Sequence, residues 1–116
     1  MALITAVIEN STYIITVKGS LSFEEMLKTA SDYYSNSAVQ TVIWDMRDAK
    51  IVQCIVTLVD LMLEIRKILT KRQTTTVHQV IFVTNDDDDY PMMNVYASMA
   101  RGKTVGITYT VSRTLP

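Results

Sequence analysis

Cysteine is nearly missing from this chain. Its single copy, Cys54, excludes an intramolecular disulfide, and no Cys/His pattern of a structural zinc site accompanies it, so a reducing compartment fits. Glycine and proline are scarce too, three and two residues, which argues against long irregular loops and leaves no room for a glycine-rich phosphate loop. No run of Lys and Arg stands out, and eleven basic against twelve acidic side chains give a formal charge of −1, so nucleic acid is not an expected partner. The amino terminus carries no positively charged leader, and its apolar run from Met1 to Val7 breaks at Glu9-Asn10, unlike a signal peptide. No uninterrupted apolar span is long enough to cross a bilayer, so the expectation is a cytoplasmic protein without an integral membrane segment.

What is present has the profile of a soluble globular protein. With 116 residues, 48% of them apolar and 20% charged, the chain suits a single domain over 1–116 with one hydrophobic core. Leu3 to Ile8 and Tyr13 to Lys18 are rich in β-branched and aromatic residues around the polar turn Glu9-Asn10-Ser11-Thr12, which predicts a hairpin whose second strand stops at Gly19. Ser22 followed three residues later by Glu25 is a capping box. Phe23, Met26/Leu27, Ala30 and Tyr33/Tyr34 then recur at helical spacing until Ser35-Asn36-Ser37.

The stretch from Gln40 to Val59 organises the rest of the chain. Thr41-Val42-Ile43-Trp44-Asp45 reads as a buried strand, Met46-Arg47-Asp48-Ala49 as a turn, and Thr57 to Arg72 as a second helix with Leu58, Leu61/Met62, Ile65 and Ile68/Leu69 toward a sheet. Val56, Val59 and Leu63 widen that stripe, either because the helix is deeply buried or because it meets a partner or a second copy. Val77 to Thr84 is a further apolar strand, Pro91 to Arg101 a third helix closed by Gly102, and Thr104 to Ser112 an alternating strand with one less-buried face.

Strand, strand, helix, strand, helix, strand, helix, strand is an α/β order (ββαβαβαβ). Its helical crossovers demand a mostly parallel mixed sheet of about five strands that starts with an antiparallel hairpin. Together with Val42-Ile43-Trp44-Asp45-Met46-Arg47-Asp48-Ala49 leading into an apolar helix, this order resembles the STAS domains, and more closely their SpoIIAA-like branch. The resemblance implies a regulatory binding module that is not an enzyme; anti-sigma factor antagonists of this kind bind a kinase partner and are switched by phosphorylation after the central strand. It also implies kinship in fold with lipid-binding Sec14-type domains, hence a small apolar ligand as an alternative. The switch motif of the antagonists, Asp-Ser-Ser-Gly, falls on Gln53-Cys54-Ile55-Val56, which has neither a hydroxyl nor a glycine. Thr57 is the nearest hydroxyl, so the fold and the binding role carry over and the switch does not.

Two surfaces emerge as candidates. Val56, Val59 and Leu63 are expected to meet a protein partner or form a homodimer; Trp44, Met92, Met93 and Tyr96 are expected to line any apolar ligand held between the third helix and the sheet, with core packing as the simpler reading of the same residues. Asp86-Asp87-Asp88-Asp89 offers oxygen ligands, yet adjacent side chains do not converge on one ion, and capping the third helix explains the run more cheaply. Asp45, Asp48 and Asp86 resemble a receiver-domain acidic pocket, but Lys103 precedes its strand instead of following one. His78 and Cys54 have no neighbours that would activate them, so no catalytic residue, metal or cofactor is assigned.

Overall fold

The hairpin forms first in sequence and for local reasons. In the computed structural model, which describes residues 2–33, 39–52, 77–101 and 107–116, β1 (Ala2–Glu9) and β2 (Thr12–Leu21) pair antiparallel without irregularity from Glu9↔Thr12 to Ala2↔Gly19. Asn10 and Ser11 close the loop at φ 51° and 64°. Two left-handed residues in a two-residue loop are the type I′ pattern, whose twist matches that of the strands it joins.

β3 (Thr41–Ile51) lies parallel between β2 and β4 (Gln79–Val83), and β5 (Thr108–Ser112) extends the sheet beyond β4, giving the order β1-β2-β3-β4-β5. Thr41 to Asp45 is therefore flanked on both sides, as the central strand should be. Two helices are described, α1 (Phe23–Tyr33) and α2 (Asp89–Arg101). The helix expected over 57–72 lies outside the described residues. At the start of α1 the capping box is complete: Glu25 N–H donates to Ser22 Oγ at 3.2 Å, and Ser22 N–H donates to Glu25 Oε1 at 3.2 Å.

β2 and the central β3 both run further than the sequence pattern predicts. β2 passes through Gly19, which takes φ 92°, a conformation open to glycine, and ends at Leu21. β3 does not turn at Met46 to Ala49 but continues to Ile51. The register steps from Thr16↔Asp45 to Lys18↔Asp48, so Met46 and Arg47 together stand opposite Val17 in a β-bulge. The bulge explains the misleading pattern: Met46 is buried, Arg47 and Asp48 are both exposed, and Ala49 is buried again. One inserted residue resets the alternation, and two successive polar residues then imitate a turn.

The sheet has two unlike faces. Ile15, Val17 and Leu21 of β2, Val42, Trp44, Met46, Ala49 and Ile51 of β3, and Val80 and Phe82 of β4 share the main core with Met26 and Ala30 of α1 and Met93, Tyr96 and Ala97 of α2. Both crossovers, β2-α1-β3 and β4-α2-β5, step the same way across parallel strands. Right-handed connections then place both helices on one face. The opposite face carries a smaller cluster of Ile43, Ile81 and Val83 with Ile14 against it. Val7, Ile14, Ile43 and Ile81 form one row across β1 to β4 on that face, between rows that include Thr5, Thr12, Thr16 and Thr41.

Candidate functional site

In an open parallel sheet, binding groups gather where the strands reach their carboxyl ends. Here that rim joins the end of β3 at Lys50-Ile51-Val52, the loop from Thr84 to Asp88 after β4, and Arg113 after β5. The acidic run organises it. Asp86 is the true N-cap of α2: its Oδ1 accepts the N–H groups of Asp88 at 2.9 Å and Asp89 at 3.0 Å, while its carbonyl accepts the N–H of Tyr90 at 2.9 Å. The helix thus begins at Asp89, ahead of Pro91.

Each remaining member of the run faces a different neighbour. Lys50 Nζ donates to Asp86 Oδ1 at 3.1 Å and Asp88 Oδ2 at 3.3 Å, joining the end of β3 to the helix start. Asp87 lies 3.5 Å from Arg113, whose guanidinium covers the Tyr90 ring at 4.2 Å and donates to Asn85 O at 3.3 Å. Asp89 points inward, only 2% exposed, and its Oδ2 accepts the N–H of Ile51 at 3.0 Å. This bond occupies the amide where β3 ends. Thr84, wholly buried at the end of β4, donates its N–H to Ser112 O at 3.0 Å.

Charge follows this geometry. The backbone amides of Asp89 and Asp88 and the Lys50 ammonium hold the Asp86 carboxyl below the usual carboxylate range, and Asp86 with Asp88 raises the Lys50 ammonium. Burial pushes the Asp89 carboxyl up, against the lowering effect of the Ile51 N–H. On the other sheet face, Asp45 receives Arg47 Nε at 2.8 Å and an Arg47 Nη at 2.9 Å, and that pairing lowers its carboxyl despite partial burial. Asp45, Asp48 and Asp86 make no common pocket: Asp45 clamps Arg47, Asp48 lies opposite Lys18, and Asp86 caps α2.

The apolar candidates sit elsewhere. Trp44, Met93 and Tyr96 are at most 2% exposed and belong to the main core, with Met92 packed at its margin. Phe82 stacks between Trp44 and Tyr109 with ring centroids 6.4 Å away on either side, and Tyr96 meets Phe82 edge-on at 5.5 Å. These side chains belong to the core that α2 shares with the sheet. Cys54, Val56, Thr57, Val59 and Leu63 lie outside the described residues. His78 is exposed, and its backbone bridges Gln40 and Thr108, its N–H donating at 2.9 Å and its carbonyl accepting at 2.8 Å. Lys50 and Arg113 are rim residues that the sequence pattern does not single out. Strand parity can find Lys50, since it alternates with the core-facing Ala49 and Ile51 once the bulge is counted.

The architecture is a SpoIIAA-like fold, an α/β sheet of five strands opened by a hairpin. The phosphorylated form of the Bacillus cell fate determinant SpoIIAA aligns over 97% of this chain and 92% of its own, at 14% identity and a TM-score of 0.53. An uncharacterised protein of the DUF3478 family from Shewanella loihica PV-4, with a SpoIIAA-like fold, aligns over 97% of this chain and 86% of its own at 12% identity and a TM-score of 0.50. The unphosphorylated anti-sigma factor antagonist SpoIIAA covers 92% of this chain and 86% of its own at 15% identity, with a TM-score of 0.47. No protein-family model matches the sequence, and no curated protein matches it. At such identities the likeness is one of fold. Among the described residues, no helix is long and apolar enough to cross a membrane.

Proposed function

We propose that this chain is a non-enzymatic regulatory or protein-interaction module of STAS/SpoIIAA-like type that binds a protein partner without the usual phosphate switch. The observation that carries the reading is the engagement of charge at the carboxyl rim. Asp86 caps a helix, Lys50 is shared by two carboxylates, Asp89 holds a backbone amide and Arg113 lies over Tyr90. Groups so occupied build a firm, shaped surface; an acid, base or nucleophile has to be free to exchange protons or attack. Beside them Val52 is 56% exposed, an apolar contact point rimmed by charge, which is the composition of a binding patch centre and its surround.

The test uses the full chain, tagged and expressed in its source cells, with chemical cross-linking before affinity purification and mass spectrometry. A protein enriched by the wild type and lost with Val52→Asp supports the reading, since an exposed position tolerates the charge without unfolding. Equal recovery by both chains moves the interaction off this rim. Multiple turnover of a phosphate or acyl ester by the purified chain overturns the non-enzymatic assignment, and stoichiometric phosphate on Thr57 restores a switch.

A further inference from the structure

Among the described residues the strand β1 is an edge of the sheet, and its composition is unusual. Three of the six large apolar side chains that stand exposed among the described residues belong to it: Leu3 at 64%, Val7 at 61% and Ile8 at 47%. Sheet edges are ordinarily guarded by a lysine, a proline, a bulge or short length. β1 is eight residues long, pairs with β2 in unbroken register, contains no proline or lysine, and has Glu9 at its very end as its one charge. At the opposite edge β5 has five residues and is followed directly by Arg113.

The hairpin decides which backbone groups face outward. In a two-residue hairpin the residues flanking the loop, Glu9 and Thr12, exchange backbone hydrogen bonds, and bonded pairs alternate with non-bonded ones from there. Leu3, Thr5, Val7 and Glu9 therefore turn their N–H and C=O groups toward β2, while Ala2, Ile4, Ala6 and Ile8 turn theirs to the edge. Ala2 agrees with this parity: its N–H donates to Glu25 Oε2 at 3.2 Å and not to β2.

We infer that β1 pairs antiparallel with β1 of a second copy of this chain, joining two sheets through a two-fold axis at Thr5. The occupant follows from the strand's complementarity to itself. An outward ladder must bond even residues to even residues, and centring it on Thr5 sets Ile4 against Ala6 of the second copy, with the Ile8 N–H of the second copy reaching the Ala2 carbonyl while the Ala2 N–H stays with Glu25. The same register places Leu3 opposite Val7 of the second copy, and its symmetry mate repeats the contact. Both are non-bonded positions, where facing side chains come closest. The two most exposed apolar residues of β1 thus cover each other, and no charge within residues 2–8 opposes another. The interface is isologous and closes at two copies. It does not rest on the proposed binding role of the rim, which lies at the sheet's carboxyl end.

Sedimentation velocity of the full chain over a concentration series tests it, with an expected doubling of mass at the upper end. Ala6→Pro removes an outward N–H and leaves the β2 ladder intact, so a chain of unchanged circular dichroism should return to monomer mass. In a Cys54→Ser background, Thr5→Cys should cross-link to itself on oxidation, the facing Cα atoms of a non-bonded pair being about 4.5 Å apart. Leu3→Cys should cross-link with Val7→Cys and not with itself. Because the cysteine pairs read the register without disturbing the edge, the inference stays open to refutation even if the proline variant fails to fold. A wild type monomeric throughout, no Thr5 cross-link, or a folded Ala6→Pro chain that still dimerises overturns it.

Discussion

Asp86 and Asp89 stand at one helix start, and their carboxyls shift in opposite directions. Asp86 is lowered because two amides and Lys50 stabilise its charge. Its contribution is therefore present above the ordinary carboxylate value and lost as pH falls through the lowered one. Asp86→Ala should lower the urea midpoint at neutral pH, as loss of an N-cap does, and the difference should shrink as pH falls through that window. Asp89 is raised because burial penalises its charge, so stability is lost as pH rises from the ordinary carboxylate value through the raised one. Asp89→Asn keeps an oxygen for the Ile51 N–H and removes the charge. It should be more stable than wild type at neutral pH, by a margin that closes as pH falls below that window, where the native carboxyl is protonated as well. Asp89→Ala instead strands a buried amide and should lose about 1–3 kcal/mol at either pH. If the alanine and asparagine variants unfolded alike, the Ile51 bond would not be what Asp89 contributes.

At the scale of elements, legibility tracks how local the cause is. The Ser22–Glu25 box and the hairpin turn are written in adjacent residues, and both appear where the sequence puts them. The bulge in β3 needs a partner strand to exist, so Met46 to Ala49 imitates a turn as long as the register with β2 is unknown. Its local device is visible only in the folded chain: Asp45 Oδ1 accepts both the N–H of Arg47 at 3.3 Å and its Nε at 2.8 Å, holding the extra residue in place. Asp45→Ala should lower stability by about 1 kcal/mol in urea titration. Deleting Arg47 should be tolerated, because Asp48 then continues the alternation from Met46 while Ala49 and Ile51 stay on the core face and Lys50 stays off it. A cooperative urea transition kept in the shortened chain is the expected result, and its loss would mean that the bulge itself is needed for the pairing of β2 with β3. In the turn, Ser11 holds φ 64° without glycine's freedom, so Ser11→Gly should raise stability, read as a higher urea midpoint.

For the molecule as a whole, the order of elements is legible, since right-handed crossovers allow few ways to arrange one hairpin and parallel strands. The open edge is not, because Leu3 to Ile8 is apolar almost throughout and its pattern does not say which side faces water. Amide hydrogen exchange separates the two consequences of that edge. β3 and β4 are flanked on both sides and built into the core, so their amides should exchange slowest and report global unfolding. In β1 the amides of Thr5 and Val7 are bonded toward β2, whereas those of Ile4, Ala6 and Ile8 face out. In dilute protein the even amides should exchange at nearly unprotected rates while the odd ones stay slow. Raising the concentration should slow Ile4, Ala6 and Ile8 selectively, because strand pairing supplies acceptors to those three and changes nothing for their neighbours. Uniform protection along β1 at every concentration would mean that the edge is already covered within one chain, and alternation that never responds to concentration would mean that it stays open to solvent.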